Sequence, residues 1–231
     1  MLLFYIYNMI DITFPNICLF LGPPRSGKSV AIKWMTIKAF KEKHVCNAFL
    51  FSPTIFNRDY DYLDIPTDRK LEEYSDEVLE KILDKQENYI KQDKDRPLLL
   101  IFDDCLGTVA WKSKIFTRLI TCYRHYKCTI LISSQYAYLI PPCIRSCCTY
   151  QFLFHSKNKR HMDALYESVG SLFDNEKEFR LLLNANTKDY NALVIDTYNQ
   201  SDDIEEVFHK FKAPHPDSMK DTVIKINCGN K

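Results

Sequence analysis

Ile17-Cys-Leu-Phe-Leu-Gly-Pro-Pro-Arg-Ser-Gly-Lys-Ser29 sets the frame for the whole chain. Its first five residues are a short apolar run stopped by a glycine, the pattern of a buried strand. From Lys28 to about Lys43 the apolar residues Val30, Ile32, Trp34, Met35, Ile37, Ala39 and Phe40 predict a helix. Between strand and helix, Gly22, Pro23, Pro24, Arg25, Ser26, Gly27, Lys28 and Ser29 fit G-x-x-x-x-G-K-[ST] at every fixed position, in the context that gives the pattern physical meaning. Gly22 and Gly27 let the backbone curl so that successive N–H groups point inward at phosphate oxygens. The helix that follows adds its positive N-terminal end. Lys28 then supplies a point charge for the β and γ phosphates of ATP, and the Ser29 hydroxyl suits Mg2+.

Further along, Pro97-Leu-Leu-Leu-Ile-Phe102 is continuously apolar between charged neighbours and predicts a central strand buried on both faces. It leads into Asp103-Asp104, at the strand end where open α/β sheets bind ligands. Asp103 suits a Mg2+ position acting through water. Asp104, on the opposite side of the strand by alternation, suits a general base for water attacking the γ phosphate. Cys128-Thr-Ile-Leu-Ile-Ser133 is another buried run, and Gln135 just beyond it can sense whether ATP or ADP is bound. With Asn47–Ser52, Thr149–Phe154 and Asn191–Asp196 there are at least six strand candidates, and helical patterns occupy 75–92, 111–126, 158–169 and 175–184.

Strands alternating with helices predict an α/β fold with a mostly parallel central sheet flanked by helices. One strand and one long helix separate the phosphate-loop unit from Asp103. That spacing predicts an added strand between the two motif strands, the arrangement of P-loop NTPases with an additional strand and a catalytic acid. The polar stretch 54–69 is expected to be a loop. Residues 1–200 are expected to form the ATPase domain, with 201–231 a polar C-terminal tail or small extension.

With 231 residues, 46% apolar and 26% charged, the chain can bury a core and is not a disordered tail. No run reaches the roughly 18 apolar residues that a membrane span needs. Nine cysteines, an odd count, suggest reduced thiols in a cytosolic setting. The opening Met1–Ile10 lacks the basic segment and small-residue cleavage site of a signal peptide. It suits a strand, or a start placed too early with Met9 as the true one. A net charge of +1 hides an asymmetry: residues 105–162 carry nine basic residues and no acid, whereas 59–95 carry thirteen acids and six bases. The basic segment points to phosphate or nucleic-acid handling, unless the two segments neutralise each other in the fold.

The ordered set Gly22–Ser29, Leu98–Asp104, Arg124-His125-Tyr126, Ile130–Gln135 and Ile140-Pro-Pro-Cys-Ile-Arg145 resembles the DNA-packaging ATPases of large double-stranded DNA viruses, within the FtsK–HerA superfamily. The resemblance spans residues 16–196. It implies ATP hydrolysis in a homo-oligomeric ring that moves double-stranded DNA into a capsid through a capsid or portal partner. It also implies work at the virus assembly site in the host cytoplasm, or with the virion. In such rings an arginine reaches the neighbour's γ phosphate. Arg124 and Arg145 are the candidates, with Arg118 behind them. Many superfamily members carry Glu where this chain has Asp104, one methylene shorter.

Other functions keep some claim on these motifs. A related DNA pump or helicase would share them, and a nucleotide kinase would share the phosphate loop. Cys143, Cys147, Cys148 and His155 lack the paired arms of a structural zinc site. Lys157–His161 is a short basic cluster suited to a DNA backbone or to a solvated helix start.

Overall fold

The computed structural model describes residues 10–105, 109–169 and 172–226. The expected strand ahead of Ile10 therefore lies outside the described residues. In chain order the elements are β1 (Ile17–Leu21), α1 (Lys28–Lys41), β2 (Asn47–Phe51), β3 (Leu63–Asp64), β4 (Lys70–Leu71), α2 (Asp76–Lys91), β5 (Leu98–Phe102), α3 (Lys114–Cys122) and β6 (Cys128–Ser134). They continue with α4 (Pro142–Cys147), β7 (Tyr150–Phe154), α5 (Lys159–Val169), α6 (Glu176–Asn186), β8 (Asn191–Asp196), α7 (Ile204–Val207), β9 (Phe208–Lys212) and β10 (Ile224–Lys225).

Among the described residues, eight strands form one sheet in the order β4-β2-β5-β6-β1-β7-β8-β9. Pairing is parallel from β4 through β7 and antiparallel for β8 and β9. Strand alternation divides the apolar side chains between two layers. Leu19, Leu100 and Ile130 face the layer built by α2, α3, α5 and α6, while Phe20, Leu99 and Leu131 face α1. Central strands buried on both faces read as continuous apolar runs for this reason.

Three details differ from the expectation. The strand that separates β1 from β5 is β6, whereas β2, the strand counted between the motifs, lies outside β5. Spacing gave the right architecture through the wrong strand, because sequence order does not determine sheet order. The segment 54–69 is not a simple loop: Tyr60, Tyr62, Leu63 and Ile65 are buried in the α1 layer among exposed acids. Finally, the sheet does not stop at residue 200. β9 pairs with β8, and Phe208 and Phe211 seal opposite faces at the sheet edge. One phenylalanine per face on an otherwise polar strand leaves little apolar pattern to detect. β10 returns to pair with β3.

Candidate active site

The loop after β1 is shaped by backbone constraints. Gly27 has φ 104° and Arg25 φ 61°, both in the left-handed region. A Cβ on Gly22 would stand 2.6 Å from Phe154 Cβ, so only glycine fits over the end of β7. The Gly22 N–H donates to the Ser134 carbonyl (3.2 Å), tying the loop to the end of β6. Helices α2, α3 and α6 begin with side-chain caps from Ser75, Ser113 and Asn175. α1 begins at Gly27 with no side-chain cap and no acid in its first turn, which leaves its leading N–H groups directed into the loop.

Lys28 is 7% exposed, and its ammonium donates to the Gly22 carbonyl (2.7 Å) and the Pro23 carbonyl (2.9 Å). Burial lowers its pKa, and the fields of Asp104 and Asp103 oppose that shift. Ser29, Pro24 and Arg25 are exposed on the loop, and Ser26 Oγ is buried with no hydrogen-bond partner among the described residues.

Asp103 is 4% exposed and accepts hydrogen bonds from the Tyr60 hydroxyl (2.6 Å) and from Ser133 Oγ. Burial raises its pKa, while the Ser133 and Tyr60 donors pull it back down. Asp104 has φ 50°, so the strand's alternation ends before it and a left-handed turn, not the pleat, aims its side chain. Its N–H donates to Ser133 Oγ (3.1 Å), and its Oδ1 is buried with no partner among the described residues. Ser133 thus braces both acids. Sequence reading missed Tyr60 and the bracing role of Ser133: Tyr60 lies 43 positions before Asp103 in a segment that resembled surface loop. Gln135 is half-buried just past β6, one residue beyond the carbonyl that holds Gly22.

The arginines separate by burial. Arg145 is 2% exposed and donates to the Ala137 carbonyl (3.1 Å), the Ile140 carbonyl (2.7 Å) and Ser168 Oγ (2.9 Å). It clamps the segment between β6 and α4 to α5. This corrects the expectation that Arg145 reaches a neighbouring subunit, because its fork is consumed inside the chain. Arg118 is partly covered and pairs with Asp84 (3.5 Å). Arg124 is exposed and precedes β6, so it lies at the end of the sheet where the parallel strands begin, opposite the phosphate loop. Its guanidinium lies over the Tyr198 ring (4.9 Å) and bonds the Tyr123 hydroxyl (3.1 Å).

The charge asymmetry is partly cancelled, since Lys127 also pairs with Asp95 (2.6 Å). Lys112, Lys114, Lys157, Lys159 and Arg160 remain exposed. His161 does not belong to that surface cluster. It is fully buried, accepts from the Ala137 N–H (3.0 Å), and has its pKa pushed down to about 4 by burial and the Lys28 charge. A neutral imidazole carries no charge to a DNA backbone.

No helix of the described residues is long and apolar enough to cross a membrane. The chain is similar to uncharacterized protein 088R of Invertebrate iridescent virus 3, 28% identical over 211 residues that cover 90% of this chain and 79% of the relative. It is also similar to uncharacterized protein 075L of Invertebrate iridescent virus 6, 26% identical over 165 residues, 68% of this chain and 61% of the relative. Its fold is that of the genome packaging NTPase B204 from Sulfolobus turreted icosahedral virus 2, solved in complex with AMP. The TM-score is 0.67 at 16% identity, over 88% of this chain and 100% of that one. The model of the Poxvirus A32 protein family matches residues 5–207, a span that holds the phosphate loop, the acidic pair and the Ser-Gln strand end, and the chain belongs to that family.

Proposed function

We propose that this protein is an ATP-hydrolysing motor that drives double-stranded viral DNA into a capsid, as a homo-oligomeric ring docked on a capsid or portal protein. It would act at the virus assembly site in the host cytoplasm. Membership of the A32 family supports the reading, and one observation carries the chemistry. Lys28 sits buried in the phosphate loop within the field of Asp103 and Asp104, whose strand is set apart from β1 by β6. That separation favours hydrolysis over the kinase alternative.

The triphosphate lies along the leading N–H groups of α1, and Lys28 neutralises its β and γ oxygens. Asp104, with Oδ1 unpartnered and buried, orients a water in line with the γ phosphate and takes its proton. Gln135 reads the presence of the γ phosphate. Ser29 and Asp103 offer the hard oxygen donors that suit Mg2+, which when bound would neutralise charge on the phosphate oxygens. Of the three candidate arginines, Arg124 is the exposed one and the one offered to a neighbouring subunit.

Tyr60 acts one step back, by holding Asp103. Tyr60→Phe is expected to raise the Mg2+ concentration for half-maximal hydrolysis roughly tenfold, as for partners of metal ligands generally. Nucleotide affinity without Mg2+ should stay unchanged; an unaltered Mg2+ requirement would remove this role.

Duplex DNA is expected to accelerate ATP hydrolysis with little dependence on sequence. The effect should fall steeply between about 50 and 200 mM salt, because exposed lysines would grip phosphates and release counterions. Measuring ATPase rates with and without duplex across that range tests the proposal. Hydrolysis indifferent to DNA at every salt concentration, with the γ phosphate passed to a small acceptor, would replace the motor by a kinase.

A further inference from the structure

Three chain segments converge at one edge of the sheet beside the phosphate loop. β8 runs antiparallel to β7, so its first residues stand next to the end of β7, with Phe154 opposite Ala192. β9 runs antiparallel to β8, so its last residue, Lys212, pairs with Asn191 at that same edge. The start of β8 and the chain after β9 therefore border the loop that ends β1. They enclose a cavity of about 690 Å³, whose near wall is Arg25–Val30 and whose far wall is Tyr190 with Pro214, His215 and Pro216. The acids lie on the other side of β1, across β6. A triphosphate bridging Lys28 to Asp104 would thus extend its nucleoside end into this cavity.

The turn that presents Tyr190 carries strain. The Asn191 N–H donates to the Lys188 carbonyl (3.1 Å), and both central residues, Asp189 (φ 54°) and Tyr190 (φ 60°), are left-handed. A turn of this kind usually takes glycine or asparagine in its second central place; here it holds an aromatic ring. Tyr190 is 72% exposed, so core packing does not explain the choice. Its ring edge, at Cδ1, stands 3.8 Å from where a Cβ on Gly27 would project.

We propose that Tyr190, with Pro214 and His215, forms the platform on which the purine base of the nucleotide stacks. This rests on the ATP-binding reading above and adds which segment holds the base and how. Stacking on an aromatic face is available to any base. The buried, unpartnered polar atom of the lining, Ser26 Oγ, belongs to the phosphate loop on the near wall, and the polar side chains at the far wall, Asp189, Lys212 and His215, are all exposed. Strong discrimination by hydrogen bonding needs polar groups that are buried and left unpaired by the wrong ligand. The site therefore accepts adenine and guanine nucleotides with similar affinity, and the segment beyond residue 200 is part of the nucleotide site.

Calorimetric titration of the full chain with the Mg2+ complexes of ATPγS, GTPγS and inorganic tripolyphosphate tests this. Tyr190→Gly suits the left-handed backbone and removes the ring without a folding cost. It is expected to weaken both nucleotides about tenfold or more, as base–aromatic stacking predicts, with tripolyphosphate unchanged. Tyr190→Phe is expected to keep wild-type affinities. Nucleotide affinity unmoved by Tyr190→Gly, or lost in equal proportion with tripolyphosphate, overturns the platform. A preference of about a hundredfold for one purine overturns the lack of base discrimination. If the wild type binds no tripolyphosphate at all, the phosphate-loop reading itself fails.

Discussion

Lys28→Ala is expected to lower ATP hydrolysis by roughly 10²–10³-fold, the loss typical of removing one positioned group that stabilises transition-state charge. The buried ammonium does two jobs. It is held against the Gly22 and Pro23 carbonyls in the loop proposed to receive the phosphates, and it lies in the field of Asp103 and Asp104. Without it, Asp103 loses a charge that lowers its pKa, so that acid shifts further towards its neutral form and becomes a poorer metal partner. Nucleotide binding and hydrolysis should therefore fail together. Lys28→Arg should not rescue them, because a planar fork does not fit a pocket shaped for a compact ammonium. Single-turnover hydrolysis and nucleotide titration of the same preparation decide the matter. Activity above about a tenth of wild type would mean that the loop's N–H groups alone carry the phosphate.

Asp104→Asn separates chemistry from binding. Asparagine tolerates the left-handed backbone at this position, so the turn and its bond to Ser133 should persist. What disappears is the basic oxygen: an amide takes no proton from water. A loss of roughly 10²–10⁴-fold in kcat is expected, the range for a positioned general base, with nucleotide affinity close to wild type. A kcat within a factor of about three would assign the base role elsewhere. A parallel loss of affinity would instead make Asp104 part of the nucleotide's binding shell.

Much of this architecture was open to sequence reading because it rests on local or periodic constraints. The phosphate loop needs glycines at fixed offsets, since only they allow the backbone its turn and its approach to Phe154. Buried strands need continuous apolar runs, since both of their faces meet helices. Phe102 running directly into two acids marks the end of a buried strand. Each of these can be seen within a dozen residues.

What needed the folded chain was everything set by distance across the sheet. Which strand lies between β1 and β5 depends on chain crossover, and β6 takes that place after β5 in sequence. Tyr60 reaches Asp103, Arg145 turns inward to hold loop carbonyls, His161 is buried neutral near Lys28, and the chain beyond residue 200 completes the cavity wall. None of these leaves a periodic trace. A side chain's role there is fixed by the partners that packing brings to it, and the same residue type would be a surface group elsewhere. The sequence alone therefore determined the fold class and the phosphate-loop motif at its core, through backbone geometry and burial pattern. Tertiary structure decided which polar residues serve that core, because burial and partner, not residue type, set charge, direction and reach.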